Sequence, residues 1–321
     1  MASARRAGKA QAGLPPALRD RLIIVDDFLP LELAEAMRQG IDDHFANPAV
    51  HAPDTHQIWN YWFVPELYAY LRTQPEKVIA HASVDAFVEQ LRAWSIQTLG
   101  LARISWPFLS CYVAGCRQGL HNDSANGRFG YVYSLTRDER KTIGGETIVH
   151  HEGDLFRSLS ARPGAGRSFF DAVAPRFNRL VVFDDRMPHA VERLEGSMDP
   201  LQGRFVLHGH ISETEPLIGG ALPAETLVET VRAAFASFAE SAFVDDYHGP
   251  LTVRLDVAAD GKVDECSVML DRVIHPGDGE RRWPMLLNEL LGRFEALRFP
   301  AADGPSQILV PISFGQPPKL E

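Results

Sequence analysis

The stretch from Phe108 to Ser212 is the feature that most constrains this chain. It breaks into short alternating runs, PFLSCYVA, GRFGYVYSLT, GGETIVH, NRLVVFD and GRFVLHGHI, separated by Gly, Pro and Asn. Alternation with period two puts one face of each run on a core. Parallel strands need long crossovers, and no helical pattern of useful length intervenes, so a doubly wound parallel sheet is excluded as first choice. A jelly roll, a double-stranded β-helix of two sheets around a narrow interior, fits better. Helices flank it. Leu33, Met37, Ile41 and Phe45, four apart, predict an amphipathic helix from Leu31 to Phe45, after a short buried strand at Leu22 to Val25. A second helix is expected from Val84 to Leu99, with Ser83 as N-cap and Val84, Phe87, Val88 and Leu91 facing inward. Between them Trp59, Tyr61, Trp62, Tyr68 and Tyr70 read as core residues, with a substrate groove wall as the second reading.

The fold class is therefore α+β, and 321 residues with 45% hydrophobic composition allow one large domain and one small one. The boundaries expected are a flexible N-terminus at 1–20, the jelly roll at 21–212, a linker and helix at 213–242, and a small unit at 243–321. A formal charge of −10 argues against nucleic acid as a partner, since phosphate backbones attract surplus Lys and Arg. Cys111, Cys116 and Cys266 lack the spacing of a zinc or disulfide framework, and no run is apolar for long enough to be a signal peptide or membrane span. The expectation is a cytoplasmic protein.

Chemistry enters with GLHNDSANG, residues 119 to 127. His121-Asn122-Asp123 is either a polar turn or part of a metal site, and the tripeptide alone leaves both open. Downstream, in NRLVVFDDRMPHAVERL, an apolar strand runs into a charged turn and His189 follows Pro188. Two imidazoles and one carboxylate are the set that leaves three open positions on an octahedral ferrous ion. Arg204 stands fifteen residues after His189 on the next strand. A guanidinium buried in a barrel needs an anion, and the bland alternative is a strand-end pairing with an acid such as Glu213.

From about Leu22 to Ser212 the chain resembles the iron(II)- and 2-oxoglutarate-dependent dioxygenases, especially the prolyl-hydroxylase-like branch. The resemblance rests on IIVDDFLPLELAEAMR, on Tyr112 and Gly115 ahead of the His-x-Asp motif, on Gly144-Gly145-Glu146-Thr147, and on the stretch from Phe183 through His189 to Arg204. It implies ligation of Fe(II) by His121, Asp123 and His189, binding of the distal carboxylate of 2-oxoglutarate by Arg204, and O2 as oxidant. Members often carry a hydroxyl residue two positions after the arginine. Here that position is Val206, so Tyr112, Tyr131 and Thr147 are the candidate replacements. Halogenating members lack the carboxylate ligand; Asp123 is present, which favours hydroxylation or a related oxidation such as desaturation. The substrate expected is amino-acid-like, peptidyl or a small metabolite, with release of succinate and CO2. His208, on the same side of its strand as Arg204, and Arg117 are candidate substrate contacts. His150, His151 and His210 read as structural. The loop from Asp154 to Arg179 carries Arg157, Arg162, Arg167, Arg176 and Arg179 and reads first as a solvated face, second as an attractant for an anionic substrate.

After Ser212, SETEPLIGGALPAE reads as a linker, followed by a helix burying Leu227, Val228, Val231, Phe235 and Phe238. A hairpin at Asp260-Gly261, a helix striped by Leu286, Leu287, Leu290, Leu291, Phe294 and Leu297, and the strand QILVPISF then resemble the carboxy-terminal domain of TonB-like proteins. Its expected role is docking, or homodimerisation, through an edge strand. The competing classes are a zinc-dependent hydrolase, which would leave Arg204 unexplained, and a non-catalytic binding protein with a relict barrel.

Overall fold

The computed structural model describes residues 21–46, 58–137, 142–150, 170–242, 244, 246–275 and 282–315. The N-terminal segment 1–20, His151 and the loop residues Arg157, Arg162 and Arg167 lie outside the described residues. The chain enters at β1 (Leu22–Val25), passes through helix α1 (Leu31–Ala46), and forms a hairpin of β2 (Asn60–Val64) and β3 (Tyr68–Thr73) before helix α2 (His81–Leu99). Then come β4 (Arg103–Ile104), β5 (Phe108–Tyr112), β6 (Arg117–His121), β7 (Phe129–Ser134), β8 (Thr142–Ile143), β9 (Thr147–His150) and β10 (Phe170–Val173). The last of this part are β11 (Arg179–Asp184), β12 (His189–Val191), β13 (Glu195–Gly196) and β14 (Arg204–Ser212). All five strands expected from the alternation are present, as β5, β7, β9, β11 and β14.

A curled antiparallel sheet of 12 strands runs in the order β1-β11-β7-β14-β5-β3-β6-β12-β9-β10, with β2 paired to β3 and β4 to β14. Strand β14 lies between β5 and β7, Arg204 facing Tyr112 and Val206 facing both Ser110 and Ser134. Its odd residues Phe205, Leu207 and Ile211 are buried in one cluster with Met37 and Ile41 of α1 and Phe87 and Leu91 of α2. Its even residues Arg204, Val206, His208 and His210 line a cavity on the opposite face. One strand thus supplies both the core beneath the helices and a wall of the site.

Three local expectations are corrected. Strand β1 is a half-buried edge, with Ile24 44% exposed, because it pairs β11 alone. Helix α2 begins a turn earlier than expected: Ala80, extended at ψ 129°, is its N-cap, and Ser83 sits inside it, donating its main-chain N–H to the Ala80 carbonyl. Tyr61 and Trp62 are exposed, since β2 is hydrogen-bonded only to β3.

The C-terminal part comprises β15 (Leu217–Gly220), α3 (Ala224–Ala242), the hairpin β16 (Gly249–Val257) and β17 (Val263–Asp271), α4 (Trp283–Glu295), and β18 (Ser306–Phe314). Its sheet order is β15-β18-β16-β17, so residues expected as linker contribute a strand. Val231 and Phe238 of α3 pack with Leu290, Leu291 and Phe294 of α4 and Leu251, Val253 and Leu255 of β16 in a separate apolar core. No helix among the described residues is long and apolar enough to cross a membrane.

The two parts are joined by buried charge. Asp184, fully buried at the end of β11, accepts from Arg186 (2.6 Å) and from Arg272 just after β17 (3.1 Å). Arg186 also donates to the carbonyls of His248 and Arg272 at 3.0 and 2.7 Å. Burial pushes the Asp184 carboxyl up, yet the two guanidiniums outweigh it and hold it at about 2. Removing one partner of a buried pair leaves uncompensated charge. Arg272→Leu is therefore expected to cost about 3 kcal/mol in urea denaturation at pH 7. With the folded value below the ordinary 3.8, the Asp184 contribution is present above about pH 4 and is lost as pH falls through 2. Parental stability of Arg272→Leu at pH 7 would contradict this account of the junction.

Candidate metal centre

His121 is the last residue of β6, and its Cα pairs with that of His189, the first residue of β12. The imidazole rings lie 4.3 Å apart. Asp123 follows two residues later, beyond the strand, where its N–H donates to the Asp185 carbonyl (2.9 Å) and its carbonyl receives the Asn126 N–H (2.7 Å). The Asn122-Asp123 segment is thus a turn that carries Asp123 toward the two imidazoles. The Asp123 Oδ2 stands 3.3 Å from His189 Nε2 and 3.8 Å from His121 Nε2. One ligand atom from each of the three residues falls within 4.8 Å of the others, a span one metal ion can bridge.

Protonation favours ligation. His121 Nδ1 donates to the Gly119 carbonyl (2.7 Å) and His189 Nδ1 to that of Met187 (3.0 Å), which leaves a lone pair on each Nε2. Burial, then the neighbouring His189, draws the His121 pKa down, so its ring is neutral at pH 7. Burial pushes Asp123 up, but when His189 also carries a proton on Nε2, its hydrogen bond and charge outweigh burial and bring the carboxyl to about 2; a metal ion would take the place of that proton. Asn126 Nδ2 occupies Oδ1 at 3.2 Å, and Oδ2 is turned to the imidazoles.

Arg204 lies on the same cavity, 1% exposed. Its Nη2 donates to Thr147 Oγ1 at 3.1 Å, and its guanidinium sits over the Tyr112 ring at 4.7 Å. Nε and Nη1 are buried with no hydrogen-bond partner among the described residues. The Glu213 alternative is not realised: that carboxylate pairs with Arg128 at 2.6 Å and accepts from Ser313 at 2.9 Å. Burial draws the guanidinium pKa down from its ordinary value, against the opposing pull of Tyr112 and Glu146. The paired glycines have a local reason. Gly145 has φ +83°, and a Cβ there would meet Leu194 Cδ1 at 2.7 Å and the Arg204 side chain at 3.3 Å.

Thr147, Tyr112, Tyr131 and His208 all line the cavity, as does Val206; Arg117, half-buried on β6, does not. Tyr131 donates its hydroxyl to the Ser105 carbonyl at 2.9 Å, and Tyr112 donates to Gln118 Oε1 at 3.3 Å. His208 Nε2 lies 2.8 Å from Ser110 Oγ, and burial followed by the Arg72 charge pulls its pKa down to about 3. Of the loop arginines, Arg179 is no solvated group: it is 8% exposed and pairs with Asp26 at 2.5 and 2.9 Å.

Gln118, which lines the cavity, and Asp185, which contacts the lining residue His210, are polar groups at the site that the sequence reading does not assign to it. Gln118 Nε2 contacts His121 Nε2 at 3.3 Å, the nitrogen a metal would take. Asp185 is fully buried with Oδ2 3.0 Å from His210 Nδ1 and Oδ1 unpartnered. Burial pushes its carboxyl up to about 6 against the pull of His210. The doubled acid in FDDR was the available signal for Asp185; Gln118 gave none.

No family model and no curated protein matches the chain. Among solved structures, it is similar to a Pseudomonas putida prolyl-4-hydroxylase at 18% identity and TM-score 0.42, over 60% of this chain and 92% of that one. A prolyl hydroxylase from Trichoplax adhaerens, in complex with a hypoxia inducible factor peptide fragment, gives 14% identity and TM-score 0.39 over 59% and 81%. The epimerase SnoN from nogalamycin biosynthesis, described as non-heme and alpha ketoglutarate dependent, gives 11% and 0.42 over 61% and 79%. At such identities and scores the likeness says nothing of this chain's chemistry, which rests on the geometry above.

The ligand geometry predicts one Mn(II) bound per chain, read by electron paramagnetic resonance of the metal-depleted protein. Asp123→Ala should lose more than the roughly 10–100-fold in affinity that removal of an outer hydrogen-bond partner costs a metal site. Parental Mn(II) affinity in that variant would contradict the assignment.

Proposed function

We propose that the protein is an Fe(II)- and 2-oxoglutarate-dependent dioxygenase that oxidises a C–H bond of an amino-acid-like, peptidyl or small metabolite substrate. The observation that carries this reading is Arg204: a guanidinium 1% exposed, with Nε and Nη1 unpartnered among the described residues, on the cavity lined by Asp123 and His189, whose ligand atoms group with that of His121. A buried planar fork with two empty donors calls for a carboxylate. A dicarboxylate that also chelates the metal satisfies both halves of the cavity.

In this reading His121 and His189 donate Nε2 and Asp123 donates Oδ2 to the metal. Arg204 orients the cosubstrate by its distal carboxylate. Thr147 stands in for the hydroxyl missing at Val206, because its Oγ1 is already on Arg204 Nη2 while Tyr131 is committed to the Ser105 carbonyl. When bound, ferrous iron with two imidazoles and one carboxylate has open positions for the keto acid and dioxygen and supplies the oxidising power. The balance is one O2 consumed, one oxygen atom in succinate, one in the product, and CO2 released. The walls exclude water: Tyr112, Phe183 and Val206 are buried around the cavity.

Purified protein with ferrous iron, ascorbate and 2-oxoglutarate under air is expected to release succinate, and zinc is not expected to replace iron. Arg204→Leu should raise the KM for 2-oxoglutarate about tenfold or more, the loss of a charge-assisted contact. Zinc-supported hydrolysis, or an unchanged KM in Arg204→Leu, would overturn the reading.

The C-terminal sheet leaves β15 and β17 as its edges. On that observation we propose a second role for this TonB-C-like part, dimerisation with another copy of the chain. Light scattering of the full chain is expected to give twice the 35.6 kDa monomer mass; monomer mass at about 50 μM would exclude it.

A further inference from the structure

We propose that Arg72 is the docking point for a carboxylate carried on an apolar body, and that this defines the substrate class. The guanidinium lies between rings on the two flanking strands, its Cζ over Trp62 at 3.6 Å and over Phe108 at 4.1 Å from the ring centroids. Placement between two rings leaves the in-plane N–H edge as the route by which an anion can bind. Carboxylates match that edge in a bidentate, coplanar arrangement.

Arg72, like Arg204, has no acid partner among the described residues. Arg128, Arg179, Arg186 and Arg272 each hold a carboxylate. Among the described residues Arg72 pairs with none, in a chain of 42 acidic and 32 basic residues where a partner is easy to supply. Its titratable neighbours on the surrounding strands are Tyr70, a neutral phenol whose pKa is raised by burial against the charge and hydrogen bond of Arg72, and His208 across β5, held neutral. Neither offers an anion.

Position ties this cation to the metal centre. Tyr68, Tyr70 and Arg72 alternate along β3 and share a face. The Tyr68 ring lies 5.5 Å from that of His121, and Tyr70 stacks on Tyr112 at 5.3 Å and 8°. On the other side Phe108 is 6.0 Å from His208, which lines the cavity with Asp123 and His189. An aromatic face therefore runs from the metal ligands to the clamp, and Trp62 and Phe108, each 41% exposed, open it to solvent. Four residues of strand separate Tyr68 from Arg72, about 13 Å. The ligand that fits is an elongated monocarboxylate with an apolar or aromatic body. That such a ligand is the compound oxidised rests on the function proposed above; the carboxylate site itself does not.

The test uses the full chain, 15N-labelled, with 2-oxoglutarate at saturation so that Arg204 is already engaged. The Arg72 Nε–H resonance is assigned by its disappearance in Arg72→Lys. 4-Phenylbutyrate is the probe, with 4-phenylbutyramide as neutral isostere and inorganic phosphate as bare anion. A saturable shift of the Arg72 resonance with the acid alone is expected, and calorimetry should show the affinity for the acid about tenfold or more weaker in Arg72→Leu. No shift with the acid, an equal response to the amide, or phosphate binding as tightly as the acid would overturn the proposal. If the Arg204 resonance ignores 2-oxoglutarate while Arg72 responds to the acid, the cosubstrate reading falls and the carboxylate site stands. The converse result removes the carboxylate site and leaves the cosubstrate reading intact.

Discussion

Strand β14 is buried on both faces, and the placement of the core and of the site depends on that constraint. Phe205 and Leu207 lock it against α1 and α2, while Arg204, Val206 and His208 face the cavity. A slip of one residue would exchange the two sets, exposing a charge to the helix core and two apolar side chains to the site. The same register pairs Arg204 with Tyr112, whose ring then lies beneath the guanidinium. Core packing of apolar side chains thereby fixes the position of one cation.

The metal group depends on a second, adjoining constraint. Asp184 and Asp185 end the strand that leads to His189, and they are used differently. Asp184 turns to Arg186 and Arg272 and anchors the C-terminal part. Asp185 turns to His210, and its main-chain carbonyl holds the Asp123 N–H. The turn that delivers His189 is thus braced from the sheet and from the second unit together. The C-terminal part has its own apolar core, and Arg272 in it supplies one of the two guanidiniums on the buried Asp184 carboxylate.

What could be read from the sequence was whatever has a period or an ordered spacing. The strands β5, β7, β9, β11 and β14 follow from alternation, and helix α1 from apolar residues four apart. His121, Asp123, His189 and Arg204 were found because their residue types and order already carried chemistry. Contacts distant along the chain left no such trace. Nothing in the one-dimensional pattern links Arg72 to Trp62 and Phe108, or Asp184 to Arg272, 88 residues away. The start of α2 was misplaced for a local reason: Ser83 is a good cap by type, but the main chain at Ala80 is where the extended conformation ends. Exposure of Tyr61 and Trp62 was missed because strand edges are a property of sheet order, not of residue type.

The central claim is that the metal group and Arg204 hold the two ends of one small dicarboxylate. A crystal structure obtained anaerobically with ferrous iron and 2-oxoglutarate tests it most directly. The account predicts iron on His121 Nε2, Asp123 Oδ2 and His189 Nε2, with one carboxylate of the keto acid hydrogen-bonded to both Nε and Nη1 of Arg204. Iron bound elsewhere, or a keto acid whose distal carboxylate leaves those two nitrogens unpartnered, would contradict it.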